Sequence, residues 1–401
     1  MVVSNMTLSL SMIVKNEEET LSKCLESVKS LVDEMVILDT GSTDCTPEVA
    51  RSFGAKVSFF DWNHDFSAAR NACLRNVTGD WVLVLDADEV LVPEVVPLIR
   101  QAIQDDRHLV INLLRQEVGA DQSPYSLLSR LFRCHPEVCF SRPYHELVDD
   151  SVAQLLQREP HWQIVEIPQV ALLHEGYKPE TIAARNKTAR ARLAMEGFLA
   201  THPTDPYLCS KLGALYLQEG ELDQGLALLK RGLQAKPTEV PILFELHFHL
   251  GIAYSKLHHA DLAKAHYRAA LKQPLLPALK LGAAFNLASL LQQQGNLTEA
   301  EKQYREILQI DPTFAIAHCE LGRVLRVKNR FREAIDHYQQ SIHHNPQSPE
   351  AHQNLGTVLL QIGQLVDSRE AFRQAILLYE QQQSPEADRL RQGLAEMGII
   401  I

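Results

Sequence analysis

Trp81-Val82-Leu83-Val84-Leu85-Asp86-Ala87-Asp88-Glu89 joins a short, wholly apolar run to a cluster of carboxylates. An apolar run of this length, flanked by polar residues, is the pattern of a strand covered on both faces. Upstream, Met35-Val36-Ile37-Leu38 runs in the same way into Asp39-Thr40-Gly41-Ser42-Thr43-Asp44. Acidic residues at the ends of two such strands repel one another unless a cation or a set of hydroxyls satisfies them.

Leu8 to Val14 reads as a further strand and Val57 to Phe60 as another. Glu17 to Val32, Pro47 to Phe53 and Phe66 to Arg75 have helical spacing. Strands alternating with helices predict an α/β domain with an open, mostly parallel sheet. In such sheets ligands bind beyond the carboxyl ends of the strands, which directs attention to the residues after Leu38 and Leu85. The domain is expected over residues 1–180, with a helical linker over 181–204 that ends at His202-Pro203-Thr204-Asp205-Pro206.

The i, i+2 spacing of Asp86 and Asp88 lets two carboxylates approach one divalent ion while the chain turns. Mg²⁺ and Mn²⁺ accept such ligands and complete their shells with water and phosphate oxygens. An isolated D-x-D is also a common surface turn, and only its place after an apolar strand raises its standing. Asp44 is expected to hold the loop before the Pro47 helix, with Thr46 as N-cap.

The C-terminal half repeats itself. Leu212-Gly213-x-x-Tyr216 recurs as Leu250-Gly251-x-x-Tyr254, Leu287-Ala288-x-x-Leu291, Leu321-Gly322-x-x-Leu325 and Leu355-Gly356-x-x-Leu359. Later in the successive units Ala263 and Tyr267 match Ala300 and Tyr304, Ala334 and Tyr338, then Ser368 and Phe372. Small residues let two helices approach, an aromatic fills the gap, and Pro237, Pro274, Pro312 and Pro346 end the units. The last three units follow one another at 34-residue intervals, while the first two carry short insertions. This pattern resembles the tetratricopeptide (TPR) family. It implies an all-α solenoid of about five units over 205–380, closed by a capping helix within 381–401.

Composition narrows the function classes. Residues 1–200 hold 19 Lys and Arg against 29 Asp and Glu, and neither half has the cationic excess that gripping a nucleic-acid backbone needs. No apolar run is long enough to span a membrane, and the N-terminus lacks the basic region and cleavage site of a signal peptide. The 7 cysteines are scattered, with no C-x-x-C pair, as expected of reduced thiols. A cytoplasmic protein is the expectation.

Ser11 to Glu18, Ile37 to Asp44 and Leu85 to Glu89, taken together and in order, closely resemble glycosyltransferase family 2. Within it the combination is similar to a TPR-fused branch that includes bacteriocin S-glycosyltransferases. The resemblance implies a GT-A fold, a Rossmann-like mostly parallel sheet followed here by the TPR solenoid. It implies an inverting transferase that moves a sugar from a nucleotide-sugar donor, UDP-linked or related, with Mn²⁺ or Mg²⁺ as cofactor. Asp39 then contacts the base or ribose, Asp86 the ribose and diphosphate, and Asp88 the metal.

Asp65-Phe66-Ser67-Ala68-Ala69-Arg70-Asn71 also resembles a stretch of this branch, which places Arg70 and Asn71 at the donor. The alternative is a surface helix whose Arg70 pairs with Asp65 or Asp61. His174 falls where such enzymes set a late histidine beside the metal, although a histidine at a strand end is often only a satisfied polar residue. Glu146, after His145, falls where the base that deprotonates the acceptor belongs. Asp149 and Asp150 compete for that role, and a salt bridge from Glu146 to Arg142 or Arg133 is the bland reading.

A solenoid groove suits a peptide or protein acceptor, and equally a homo-oligomer contact or a pathway partner. Little sequence separates Glu146 from His174, so the acceptor pocket is either completed by the repeats or open. Two rivals stand beside this reading. One is a TPR interaction scaffold with an inactive transferase half. The other is a nucleotidyltransferase, whose glycine-rich loop after the first strand has no counterpart in Val14-Lys15-Asn16-Glu17-Glu18-Glu19.

Overall fold

β1 (Leu8–Val14) lies inside a sheet with a parallel neighbour on each side, β2 (Glu34–Asp39) and β4 (Trp81–Val84). The computed structural model describes residues 6–63, 65–120, 124–142, 147–174, 182–237 and 239–399. These fall into two compact units, Met1–Pro203 and Thr204–Ile401.

In the first unit, Leu8, Leu10, Met12 and Val14 of β1 face one layer, where Leu21, Cys24, Leu25 and Val28 of α1 (Leu21–Val28) cover them. On the opposite layer Val36 and Leu38 of β2 meet Ala69, Ala72 and Cys73 of α3 (Phe66–Leu74). Burial on both faces is why β2 and β4 carry continuous apolar runs, whereas β1 alternates its apolar residues with Ser9 and Ser11, which are buried as well. Beyond β2, α2 (Thr46–Ser52) leads to the edge strand β3 (Lys56–Phe59).

The second half of the sheet is mixed, and the reading of a mostly parallel sheet did not draw it. After β4 come β5 (Glu89–Leu91), α4 (Val96–Ala102), β6 (His108–Glu117), β7 (Tyr125–Arg133), α5 (Asp149–Arg158) and β8 (Gln163–His174). The strand order is β3-β2-β1-β4-β7-β6-β8-β5, with β7 antiparallel to both β4 and β6, and β8 parallel to β6 but antiparallel to β5. The strand end at His174 belongs to the long β8, whose apolar residues gather at Val170 to Leu173 and whose earlier residues are largely exposed. α6 (Ile182–Thr201) closes the unit.

The second unit consists of helix pairs. They are α7 (Pro206–Gln218) with α8 (Leu222–Gln234), α9 (Val240–Lys256) with α10 (Ala260–Leu271), α11 (Leu281–Gln293) with α12 (Leu297–Ile310), α13 (Ala315–Val327) with α14 (Phe331–His344), and α15 (Pro349–Gln361) with α16 (Leu365–Gln381). In the units of Gly251, Gly322 and Gly356 the glycine meets the aromatic as the repeat pattern implies, while Gly213 of the first unit meets Leu229 instead. A Cβ built on Gly322 would stand 2.7 Å from Tyr338 Cε1, and one on Gly356 would stand 2.9 Å from the Phe372 ring. The irregular early spacings have visible causes: α9 is 17 residues long where α13 is 13, and a 3-10 turn at Pro277–Lys280 precedes α11. α17 (Glu386–Glu396) caps the stack by placing Leu394 on Phe372 and Ile376.

Candidate active site

β2 and β4 flank β1 in parallel, so Asp39 and the Asp86–Asp88 turn leave the same edge of the sheet, two strand spacings or about 10 Å apart. Asp39 is buried, and its Oδ1 accepts the backbone N–H groups of Gly41 and Ser42, each at 2.9 Å. Gly41 has φ +104°, a conformation that glycine adopts without strain. Asp39 Oδ2 is buried and has no hydrogen-bond partner, which costs free energy unless a ligand fills the place.

The stretch after β1 straps this turn down. Asn16 Oδ1 accepts Thr43 N–H at 2.8 Å, and Asn16 N–H donates to Ser42 Oγ at 2.9 Å. Glu18 accepts Cys45 N–H at 2.9 Å. The N-cap expectation needs correction: Thr46 is the first helical residue rather than the cap. Cys45 is the cap residue, without a side-chain cap bond, and Asp44 Oδ1 just before it takes Thr46 N–H at 3.0 Å and its hydroxyl at 2.6 Å. Pro47 follows, where an absent N–H costs nothing.

Asp86 lies between two guanidinium groups. Arg70 Nη2 reaches its Oδ1 at 2.6 Å and Arg130 Nη2 its Oδ2 at 2.9 Å. Burial works to raise this carboxyl, but Arg130 and Arg70 outweigh it and hold it far below the ordinary carboxylate range. Arg70 is itself buried in α3 and stands over the Phe140 ring, rather than on an exposed helix face. Asp65 caps α3 through Ala68 N–H. Arg130 reaches Asp86 from a bulge in β7: Ile111 pairs with Leu131 and Leu113 with Leu128, leaving Asn112 opposite both Ser129 and Arg130. Bulges re-aim side chains in this way, and no periodicity in the sequence announces them.

Asp88 Oδ2 faces His174 Nε2 at 3.1 Å, and the other ring nitrogen of His174 bonds Glu117 Oε2 at 2.5 Å. Its hydrogen bonds to the Asp88 and Glu117 carboxylates push the His174 imidazole up to about 10. Burial alone would lift the Asp88 carboxyl, but its bond to His174 keeps it below the usual range. Asp39, Asp86, Asp88 and His174 therefore share one sheet edge, while Asn71 has a different position. Its side-chain amide donates to Phe140 O at 2.9 Å and accepts Phe140 N–H at 2.8 Å, clamping the chain that leads to Arg142.

Glu146, the expected base, lies outside the described residues. Of its competitors, Asp150 accepts from Arg142 Nε at 3.1 Å and Nη2 at 3.2 Å and from Ser141 Oγ at 2.5 Å, a structural assignment. Asp149 starts α5 and accepts Ser129 Oγ at 3.0 Å; burial raises its carboxyl, with Ser129 partly offsetting this. The sequence assigned no role to Arg130, Arg115 or Glu117, and Glu89 counted there only as the last carboxylate of the cluster after Leu85.

Among the described residues no three His, Cys, Asp or Glu side chains converge into a complete metal cage. Asp88 and His174 do converge as a pair, and one carboxylate with one imidazole fits a hard cation that keeps water and phosphate oxygens. Asp86 is neutralised by arginines and is the less available donor.

Residues 9–165 match the family model for glycosyl transferase family 2, and residues 248–313 and 319–388 match a tetratricopeptide repeat model. A TPR repeat-containing protein of Synechococcus elongatus is 46% identical over 98% of this chain and 97% of its own length. The chain carries a glycosyltransferase family 2 domain followed by tetratricopeptide repeats. This glycosyltransferase is also similar to the SPbeta prophage-derived glycosyltransferase SunS of Bacillus subtilis, at 26% identity over 50% of this chain and 47% of SunS. Its repeats align with the crystal structure of YrrB, a TPR protein with an unusual peptide-binding site, at 16% identity and a TM-score of 0.38 over 47% of this chain and 93% of YrrB. None of the helices in the described residues is long and apolar enough to cross a membrane.

Proposed function

We propose that the first unit is an inverting transferase that takes a sugar from a nucleotide-sugar donor, UDP-linked or related, with Mn²⁺ or Mg²⁺ bound at Asp88 and His174. The observation that carries this reading is the convergence of Asp88 Oδ2 and His174 Nε2 at 3.1 Å, on the edge where Asp39 keeps an open, buried Oδ2. A carboxylate oxygen with no partner suits a donor group of the base or ribose. Asp86 and Arg70 serve the ribose and diphosphate side, and Asn71 acts through the Phe140 segment that it clamps. A bound divalent cation supplies charge neutralisation for the leaving diphosphate.

Glu146 takes the acceptor proton as the acceptor attacks the anomeric carbon from the face opposite the leaving group. The acceptor is a peptide or protein segment, for which stacked helix pairs offer a concave surface.

The test uses metal-stripped full-length protein with UDP-, GDP- and ADP-sugars, with and without Mn²⁺. Nucleoside diphosphate release that needs Mn²⁺ and falls about 100-fold or more in Asp88→Ala, some 3 kcal/mol of barrier, supports the reading. Release of pyrophosphate identifies a nucleotidyltransferase instead. Turnover that ignores both chelator and Asp88→Ala overturns metal-dependent transfer.

A further inference from the structure

Glu89, His174 and Glu117 form a row across three adjacent strands, because β8 pairs His174 with Glu89 of β5 and with Glu117 of β6. This register is not the default. Regular pairing onward from Leu113 and Ile167 would set Ala171 opposite Glu117. Two irregularities, at Leu113/Leu114 and Leu114/Arg115, advance β8 so that His174 arrives there. Such bulges recur next to active sites.

The side chains of this row form a closed circuit. Glu89, fully buried, accepts Asp86 N–H through Oε2 at 2.9 Å and Arg115 Nη1 through Oε1 at 2.7 Å. Arg115 Nη2 reaches Glu117 Oε1 at 2.6 Å, Glu117 Oε2 meets His174 Nδ1 at 2.5 Å, and His174 Nε2 returns to Asp88 at 3.1 Å. The circuit begins on the backbone of Asp86 and ends on the side chain of Asp88, bracketing the turn between them.

Each link has a physical reason. Without Arg115, Glu89 and Glu117 would stand near one another as uncompensated carboxylates, one of them fully buried. A histidine that ligates a cation through one nitrogen hands its other N–H to a carboxylate, which fixes the tautomer, orients the ring and raises its basicity. Glu117 occupies that place at Nδ1, and leaves Nε2 as the nitrogen turned toward Asp88.

We infer that Glu117 is the positioning carboxylate of a divalent-cation site at Asp88 and His174, held in place by the Arg115 bridge to Glu89. This rests on the reading above that a cation binds there. Glu117 does not touch the reacting atoms. It sets the direction of His174 Nε2.

The experiment measures Mn²⁺ binding, not turnover. Full-length protein is stripped with EDTA and titrated with MnCl₂ at pH 7.5, and free Mn²⁺ is followed by its electron paramagnetic resonance signal. Thermal melts in EDTA check that each variant folds. Glu117→Gln, which keeps the shape but loses the charge, is expected to bind Mn²⁺ roughly 10- to 100-fold more weakly than wild type, and to melt cooperatively but below wild type, because Arg115 keeps Glu89 and loses the Glu117 charge. Glu117→Asp, which keeps the charge but is too short to reach Nδ1, is expected to weaken binding comparably. Line broadening of the His174 ring resonances by Mn²⁺ should be present in wild type and lost from both variants at the same metal concentration. Wild-type affinity in both variants overturns the inference and leaves the cation site standing. Absence of Mn²⁺ binding by the wild type overturns the cation site itself.

Discussion

Arg70 Nη2 lies 2.6 Å from Asp86 Oδ1, and through that contact a buried residue of α3 holds the first aspartate of the Asp86-Ala87-Asp88 turn. The helix is positioned for it by Asp65 at its N-terminus and by Ala69, Ala72 and Cys73 against β2. Removing one partner of a buried ion pair costs more than the pair is worth, because the other charge is left behind.

Arg70→Met is therefore expected to destabilise the first unit by about 2–3 kcal/mol, less than a fully buried pair because Asp86 retains some exposure. Arg130→Met, whose side chain is more exposed, should cost about half as much. The chain's tryptophans, Trp62, Trp81 and Trp162, all lie in the first unit, so urea unfolding followed by tryptophan fluorescence reads this unit alone. Equal losses in the two variants would contradict the buried character assigned to Arg70.

The legibility of the chain follows the range of the interactions. β2 and β4 were readable because burial on both faces leaves continuous apolar runs, and β1 because Leu8, Leu10, Met12 and Val14 recur at every second position. The repeats were readable because one local packing problem, an aromatic against glycine, is solved several times over. The second half of the sheet was not readable. β6 and β7 carry polar residues such as Arg115, Glu117 and Arg130 at positions that face the site, which breaks the alternation that would mark a strand. The candidate site was legible where it is local, as at Asp86 and Asp88. It was opaque where bulges bring Arg130 and His174 into place from strands distant in sequence.

Asp39→Asn separates the turn from the binding role. Its Oδ1 can still accept from Gly41 and Ser42, so the melting temperature should stay within a few degrees of wild type. At Oδ2 an acceptor becomes a donor, which cannot receive an N–H or O–H of the nucleotide. Nucleoside diphosphate affinity by calorimetry should fall about 10- to 100-fold, the worth of one charge-assisted hydrogen bond of roughly 1.5–3 kcal/mol. Unchanged affinity would remove Asp39 from the donor site.

Two glycines of the second unit predict opposite effects of the same substitution. In Gly322→Ala the new methyl meets Tyr338 Cε1 at 2.7 Å, so the helix pair must spread, at a cost of about 1–3 kcal/mol. Gly393, inside α17, has nothing within 4 Å of a built Cβ, and alanine there should stabilise by about 0.5–1 kcal/mol. Thermal unfolding of the helical signal should move down in the first variant and up in the second. Combining Gly322→Ala with Tyr338→Leu, which removes the clashing ring, should recover part of the loss.

His318 Nδ1 and His337 Nδ1 stand 2.9 Å apart, a bond that needs at least one neutral ring, and His247 and His266 repeat the arrangement at 3.0 Å. Burial, with His318 and Arg305 nearby, lowers the His337 imidazole from 6.5 to about 4. In the unfolded chain the ring takes up a proton near 6.5, so between there and about 4 the unfolded state binds more protons. Stability is thus full above pH 6.5 and declines as the pH falls toward 4, by on the order of 2–3 kcal/mol for this ring alone. Glu301, lowered to about 2 by Lys328, Arg305 and Arg330 against its burial, adds loss only at more acid pH, so measurements between 6.5 and 4.5 isolate the histidines. Urea unfolding of the helical signal over that window should show a slope that shrinks in His337→Gln. A slope unaltered by that substitution would mean that His337 is not held neutral against His318.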